Sequence, residues 1–128
     1  MNITRSHWRI AAATALLATG VVHIPLIREH LHEAPYIGVL FIALTVACGG
    51  CAVLLVAYDH PLVWTLSGGV AALAVIGYLL SRTVGLPQIG DDIGNWSDPL
   101  GTTALLTEGL VVVIAAFALR LRTRVEQT

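Results

Sequence analysis

Four long hydrophobic segments, separated by short polar stretches, occupy most of the 128-residue chain. They run from Ile10 to Ile27, Tyr36 to Tyr58, Leu62 to Leu80 and Leu100 to Leu119. Each is close to the ~20 residues that an α-helix needs to cross the hydrocarbon core of a bilayer. The pattern predicts an all-α integral membrane protein with a single four-span domain over residues 1–128.

The connections between the segments are short, apart from the loop between Leu86 and Pro99. Short connections are typical of antiparallel neighbours, so we expect an up-down-up-down four-helix bundle. Pro25 is expected to kink the first helix near its end, because proline removes a backbone hydrogen bond. The second helix is expected to begin at Tyr36, just after Pro35.

The arginines are distributed unevenly around the four segments. Only Arg28 and Arg82 flank one side of the predicted membrane; the other five, before the first segment or after the fourth, are Arg5, Arg9, Arg120, Arg122 and Arg124. Basic residues favour the cytoplasmic side, so both termini are predicted to be cytoplasmic.

The N-terminus has a second interpretation, because Arg5 and Arg9 followed by Ile10 to Ala18 resemble a signal peptide. The hydrophobic segment continues to Ile27 without a convincing small-x-small cleavage site, which favours an uncleaved helix.

Composition agrees with a multi-pass membrane protein. Apolar residues make up 56% of the chain and charged residues 12%, and the mean hydropathy is +0.81. Such a chain has too little polar surface for a soluble domain. The net charge of −1 and the lack of a basic patch argue against a nucleic-acid partner. Without lysine, the chain cannot form a Schiff base with retinal or pyridoxal phosphate.

Two ionisable residues lie deep within predicted helices. With a helical rise of ~1.5 Å per residue, His23 and Glu108 lie roughly 21 Å and 18 Å above the arginines that flank their helices. They therefore share one level of the membrane. A carboxylate there is costly unless it is paired, protonated or facing a cavity. Tyr78 is expected near this level, and Arg82 one turn beyond it.

Further polar residues follow His23 at helical spacing. His30 is seven residues beyond His23, and Glu33 is three beyond His30, so the three share one face if the helix continues. Together with Glu108 they are the predicted ligands of a transition metal, with zinc or copper favoured for imidazole and carboxylate donors. Glu29 is predicted to support this site together with Tyr78 and Arg82, which lie on the third segment.

The alternative is structural, because residues at a helix end are often only solvated. A buried His23–Glu108 or Arg82–Glu108 hydrogen bond would also explain the deeper groups. Glu29-x-x-His32 occurs once, so a full di-iron bundle site is not predicted. The loop carboxylates of Asp91, Asp92 and Asp98 are interpreted as a solvated face in preference to a lid that supplies ligands.

Cys48-Gly-Gly-Cys51 has the spacing of a thiol motif but lies within a hydrophobic segment. The small side chains favour close helix packing, and a redox pair or metal relay is the lesser alternative. No nucleotide-binding motif occurs, and no histidine pair at one depth indicates haem.

The chain resembles a family of small, uncharacterised four-helix integral membrane proteins common in actinobacteria. His23, the Glu29–Glu33 region leading into Tyr36-Ile37-Gly38-Val39-Leu40-Phe41, and the stretch Ser81-Arg82-Thr83-Val84-Gly85-Leu86-Pro87 carry the likeness. The resemblance implies a bacterial cytoplasmic membrane and four spans, and it supplies no established activity. Pro25 and His32 depart from the usual form, which weighs against a role for His32.

Three functions remain open from the sequence. The first is transition-metal binding in sensing, handling or assembly. The second is a membrane redox or enzyme subunit that uses His23 and Glu108 for proton transfer to a lipid or quinone. The third is a non-catalytic subunit that packs against further copies or a larger membrane partner. Whether the chain is an enzyme is left open.

Overall fold

The computed structural model describes residues 3–127, with side chains from residue 5 onward, and this part of the chain is helical. The helices are α1 (Ile3–Glu33), α2 (Pro35–Ala57), α3 (Pro61–Thr83) and α4 (Pro99–Glu126), and a short 3₁₀ helix (Gly90–Asp92) lies in the loop before α4. Each of the four α-helices is long and apolar enough to cross a membrane. The predictions of an all-α fold and four possible spans are confirmed.

Proline fixes the beginning of three of these helices. Pro35, Pro61 and Pro99 each occupy the first turn, where a missing backbone N–H costs nothing. The second helix therefore begins one residue earlier than predicted. Pro25 lies inside α1, which continues unbroken to Glu33 and carries the polar residues beyond Ile27 on the same helix.

The helices do not pack equally closely. The α1–α2, α3–α4 and α1–α4 pairs pack more closely than α2–α3, which is the loosest of the four neighbouring pairs. At the α1–α2 connection a side chain on Gly38 would come within 2.6 Å of Leu31, so only glycine fits there. A Cβ atom added to Gly68 on α3 would similarly come within 2.9 Å of Ala115 on α4. The loose α2–α3 seam leaves space inside the bundle.

The larger apolar core fills one end of the bundle, which we call the turn end because it contains the turn at Asp59. Leu16, Leu55, Trp64 and Val111, one from each helix, are buried almost completely there. Cys48 and Cys51 belong to the same core as free, buried thiols, in agreement with the packing interpretation. A smaller cluster of Ala34, Ile37 and Ile89 lies at the other end.

Arginines close the turn end of the bundle. Arg9 donates hydrogen bonds to the carbonyls of Leu55 and Val56, which lack helical partners in the last turn of α2. Asp59 accepts hydrogen bonds from Trp64 Nε1 at 3.0 Å and from Arg122. Burial raises the pKa of Asp59, but the Trp64 hydrogen bond and the charges of Arg122 and Arg9 outweigh it. The pKa of Asp59 therefore lies below its ordinary value of 3.8.

The outside of the bundle is apolar. Side chains such as Val46, Leu73 and Leu106 are about two-thirds exposed, with exposed fractions of 69%, 71% and 69%. Exposed aliphatic groups on all sides of long helices are what a lipid environment requires, so the surface fits a multi-pass membrane protein.

Candidate functional site

A cavity of about 640 Å³ lies at the opposite end of the bundle, the loop end, which contains residues 84–98. All four helices and the loop contribute to its lining. It extends along α2 from Ile37 to Ala47, roughly 15 Å at a rise of ~1.5 Å per residue. Small residues at the α2–α3 seam, such as Ala74 and Gly77, leave this volume unfilled.

His23 and Glu108 meet at the deep end of this cavity. Nε2 of His23 lies 3.7 Å from Oε1 of Glu108, and their side chains are 6% and 2% exposed. Nδ1 of His23 lies 2.8 Å from the Thr19 carbonyl, and because a carbonyl only accepts, this nitrogen carries a hydrogen. The other ring nitrogen, Nε2, faces Glu108. The depth prediction for these two residues agrees with this pairing.

The pair leaves one polar atom without a partner. Oε2 of Glu108 is buried and accepts no hydrogen bond from the described residues. Most buried polar atoms in proteins are hydrogen-bonded, since an unsatisfied one costs free energy. An open acceptor at the base of a cavity is therefore a place where a bound molecule can make its polar contact.

A second polar contact crosses the same helix pair one turn away. The Thr19 hydroxyl donates to the Thr107 hydroxyl at 2.8 Å, and Thr19 is almost fully buried. Thr107 in turn donates to the carbonyl of Ala104. The sequence analysis missed this contact. Thr19 lies one helical turn before His23, and Thr107 directly precedes Glu108.

Arg82 joins the loop to the bundle at the cavity mouth. Its guanidinium lies 2.9 Å from Asp92 Oδ2 and 3.5 Å from Asp98 Oδ2, and it stacks over the Tyr78 ring at 4.7 Å. The Arg82 carbonyl accepts a hydrogen bond from Gly94 N at 2.8 Å. Asp92 and Asp98 therefore hold an arginine, and the predicted solvated face is wrong for these two residues.

Aromatic rings line the wall beside the His23–Glu108 pair. Phe41 lies edge-on to both His23 and His30, with ring centroids 4.9 Å apart in each case. Nδ1 of His30 donates a hydrogen bond to the carbonyl of Leu26 at 2.9 Å. Phe41 was not among the predicted site residues, because an aromatic residue in a hydrophobic segment does not stand out from its neighbours.

All predicted site residues line this one cavity, but they do not form one compact cluster. His30, Glu33, Glu29, Tyr78 and Arg82 lie along its walls and mouth, away from the His23–Glu108 contact. Within residues 3–127, no group of three or more His, Cys, Asp or Glu side chains is arranged to hold a metal ion. The predicted zinc or copper site is therefore not supported by the donor geometry.

Comparisons with known proteins give no further indication of function. No family model, curated protein or solved structure matches the chain. The likeness to an actinobacterial membrane protein family accordingly stays a prediction.

Proposed function

We propose that this protein binds a lipid-soluble small molecule in the cavity between α2 and α3, with the polar part of the molecule at His23 and Glu108. The observation that carries the proposal is the cavity itself, about 640 Å³ with a buried carboxylate oxygen that lacks a partner. Ligand sites are commonly cavities of this size, mostly apolar and with a few convergent polar groups.

The position of the cavity favours entry from the bilayer. Its lining includes Leu40 and Leu73, which are also exposed on the outside of α2 and α3. The opening therefore follows the loosest helix seam, where lipid tails would contact the bundle. A molecule with an apolar tail can enter there without crossing the charged mouth.

Of the functions left open by the sequence, the lipid or quinone site fits this geometry best. An imidazole and a carboxyl group in contact can donate a hydrogen bond to a ligand or accept one from it. Metal binding would have to rely on two protein donors, whereas structural zinc is held by four and catalytic zinc by three. A role as a purely structural subunit gives no reason for an unfilled cavity.

The proposed orientation is an up-down-up-down bundle with cytoplasmic termini. The arginines near the beginning of α1 and near the end of α4 support it by the positive-inside rule. The cavity mouth and the loop around Gly94 would then face outward. The chain would lie in a cell membrane, with lipid as its immediate surroundings and a second copy or a larger membrane protein as a possible neighbour.

Blocking the cavity tests the binding function. A Cβ atom added to Gly77, which lines the cavity, would meet no atom within 4 Å, so Gly77→Phe can direct its ring into the open volume. Gly69→Phe is the matched control, because Gly69 is equally open on the same helix and does not line the cavity. Native mass spectrometry in detergent should show a decyl-benzoquinone probe bound to wild type and Gly69→Phe, and lost from Gly77→Phe.

Equal retention of the probe by both variants would overturn the assignment of the cavity. The same spectra give the mass of any retained metal. A divalent metal that is bound stoichiometrically by wild type and lost from His23→Ala and Glu108→Gln would instead support the zinc or copper site.

Thiol labelling tests the orientation. In a chain that lacks Cys48 and Cys51, Gly94→Cys should react with an impermeant thiol reagent in intact cells. Labelling only after the membrane is disrupted would place the loop in the cytoplasm and reverse the proposed topology.

A further inference from the structure

The lining of the cavity is acidic from its mouth to its deep end. Among the described residues, six carboxylates line it against the single guanidinium of Arg82. The six are Glu29, Glu33, Asp91, Asp92, Asp98 and Glu108. This excess matters because cavities lined by one sign of charge concentrate molecules of the opposite sign.

The single guanidinium does not balance this charge. Arg82 lies between Asp92 and Asp98, so those two carboxylates already compensate it. Among the described residues, Glu29, Glu33 and Asp91 form no ion pair with a basic side chain. The mouth therefore carries more acidic than basic side chains, and both terminal nitrogens of its one guanidinium lie against carboxylates. Of the guanidinium nitrogens, only Arg82 Nε is buried without a hydrogen-bond partner among the described residues.

Glu108 extends the row of acidic side chains into the membrane interior. It lies ten residues beyond Asp98, so roughly 15 Å deeper along α4 at ~1.5 Å per residue. Its side chain is 2% exposed, and its Oε2 atom lacks a partner. A ligand that brings a positive centre to this oxygen would remove the cost of a buried, unpaired carboxyl group.

Aromatic rings line the cavity near the position of such a centre. Phe41 lines the wall next to His23, and Tyr78 lines it nearer the mouth, where its ring already carries the Arg82 guanidinium at 4.7 Å. Organic cations bind aromatic faces through cation–π attraction, which strengthens when the site is dry.

We propose that the cavity binds lipophilic organic cations, with the positive centre directed toward Glu108 and the apolar substituents toward the α2–α3 seam. This inference rests on the proposed function and names the class of its ligand. A small metal ion would leave most of the volume unfilled.

Two probe ions of nearly equal size and opposite charge test the sign of the preference. Tetraphenylphosphonium is a lipophilic cation, and tetraphenylborate is its anionic counterpart. Equilibrium binding to the full chain in neutral detergent should be at least about tenfold tighter for the cation, after subtraction of binding to empty micelles. The neutral decyl-benzoquinone probe provides the comparison without charge.

Isosteric neutralisation tests the role of Glu108. Glu108→Gln should weaken tetraphenylphosphonium binding about tenfold or more, because a cation loses its buried counter-charge. The matched control is Glu126→Gln, the same substitution on α4 at a position outside the cavity. It should leave the affinity unchanged.

A rim variant keeps the test decisive if Glu108→Gln does not fold. The triple change Glu29→Gln, Glu33→Gln and Asp91→Asn alters only exposed residues. It should weaken cation binding at low salt and flatten its salt dependence, because exposed charges act through a screened field.

The outcomes separate this inference from the proposed function. If the quinone binds the cavity but the cation binds no better than the anion, the proposed binding function is kept and the proposed preference for cations is wrong. Unchanged cation affinity in both Glu108→Gln and the rim variant would also overturn it. If Gly77→Phe affects no probe of any charge, the proposed function itself fails.

Discussion

The two ends of this bundle differ in how completely their interiors are packed and how well their buried polar groups are paired. At the turn end, Leu16, Leu55 and Val111 are fully buried, and Arg9 satisfies carbonyls at the end of α2. At the loop end, the same four helices enclose an unfilled cavity with a buried carboxyl oxygen that has no partner among the described residues. Natural proteins keep destabilising features mainly where function needs them. The contrast supports the proposal that the loop end binds a ligand, whereas the turn end contributes mainly to stability.

The largest expected effect tests the stabilising end. Leu16→Ala should lower the free energy of unfolding by about 2 to 5 kcal/mol, since it truncates a fully buried side chain and opens a cavity in the core. Leu73→Ala is the control, because Leu73 is 71% exposed and lines the loop-end cavity. Thermal unfolding followed by circular dichroism in one detergent compares them. Equal losses from both variants would contradict the division between the two ends.

A smaller effect of opposite sign tests the loop end. Glu108→Leu should stabilise the protein by about 1 kcal/mol, because an apolar side chain of similar size replaces a buried polar group that lacks a partner. Glu126→Leu, on the exposed end of α4, should change stability little. The same unfolding assay provides the measurement. A clear loss of stability in Glu108→Leu would show that the His23–Glu108 contact is chiefly structural.

Hydrophobic pattern alone predicted most of the helical structure. Segment lengths near a membrane thickness and the three prolines that begin α2, α3 and α4 are local signals, so the helices could be located without knowledge of their packing. Depth along a helix also follows from the rise per residue, and it correctly brought His23 and Glu108 to one level.

What could not be predicted depends on how the helices pack. The cavity exists because α2 and α3 approach least, and no sequence pattern marks that seam. The Thr19–Thr107 contact and the position of Phe41 depend on helix rotation, which helical spacing does not fix. Asp92 and Asp98 contact Arg82 only because of how the loop folds, so the sequence of the loop does not indicate that they form ion pairs.

Acidification should weaken the turn end through Asp59. Its pKa is lower in the folded protein than its ordinary value of 3.8, so the carboxylate stabilises the fold above that value, and this contribution is lost as the pH falls through the lowered pKa. For a partly exposed ion pair the loss should be about 0.5 to 1 kcal/mol.

Unfolding midpoints measured between neutral pH and about pH 3 should show this loss in wild type and a smaller one in Asp59→Asn. Asp91→Asn changes an exposed loop carboxylate at the other end of the bundle and serves as the control. The same acid response in Asp59→Asn as in wild type would place the sensitive group elsewhere.

The smallest expected effect concerns the hydroxyl contact between α1 and α4. Thr19→Val and Thr107→Val each remove the 2.8 Å hydrogen bond while keeping the shape of the side chain. Hydrogen bonds between membrane helices contribute about 0.6 kcal/mol on average, so a double-mutant cycle should give a coupling energy near that value. Thr65→Val is the control, because Thr65 is exposed and its hydroxyl donates to Pro61 of its own helix. A coupling energy near zero would mean that the α1–α4 pair is held at the loop end by His23 and Glu108 rather than by the threonines, and Glu108→Leu would then have to destabilise the bundle.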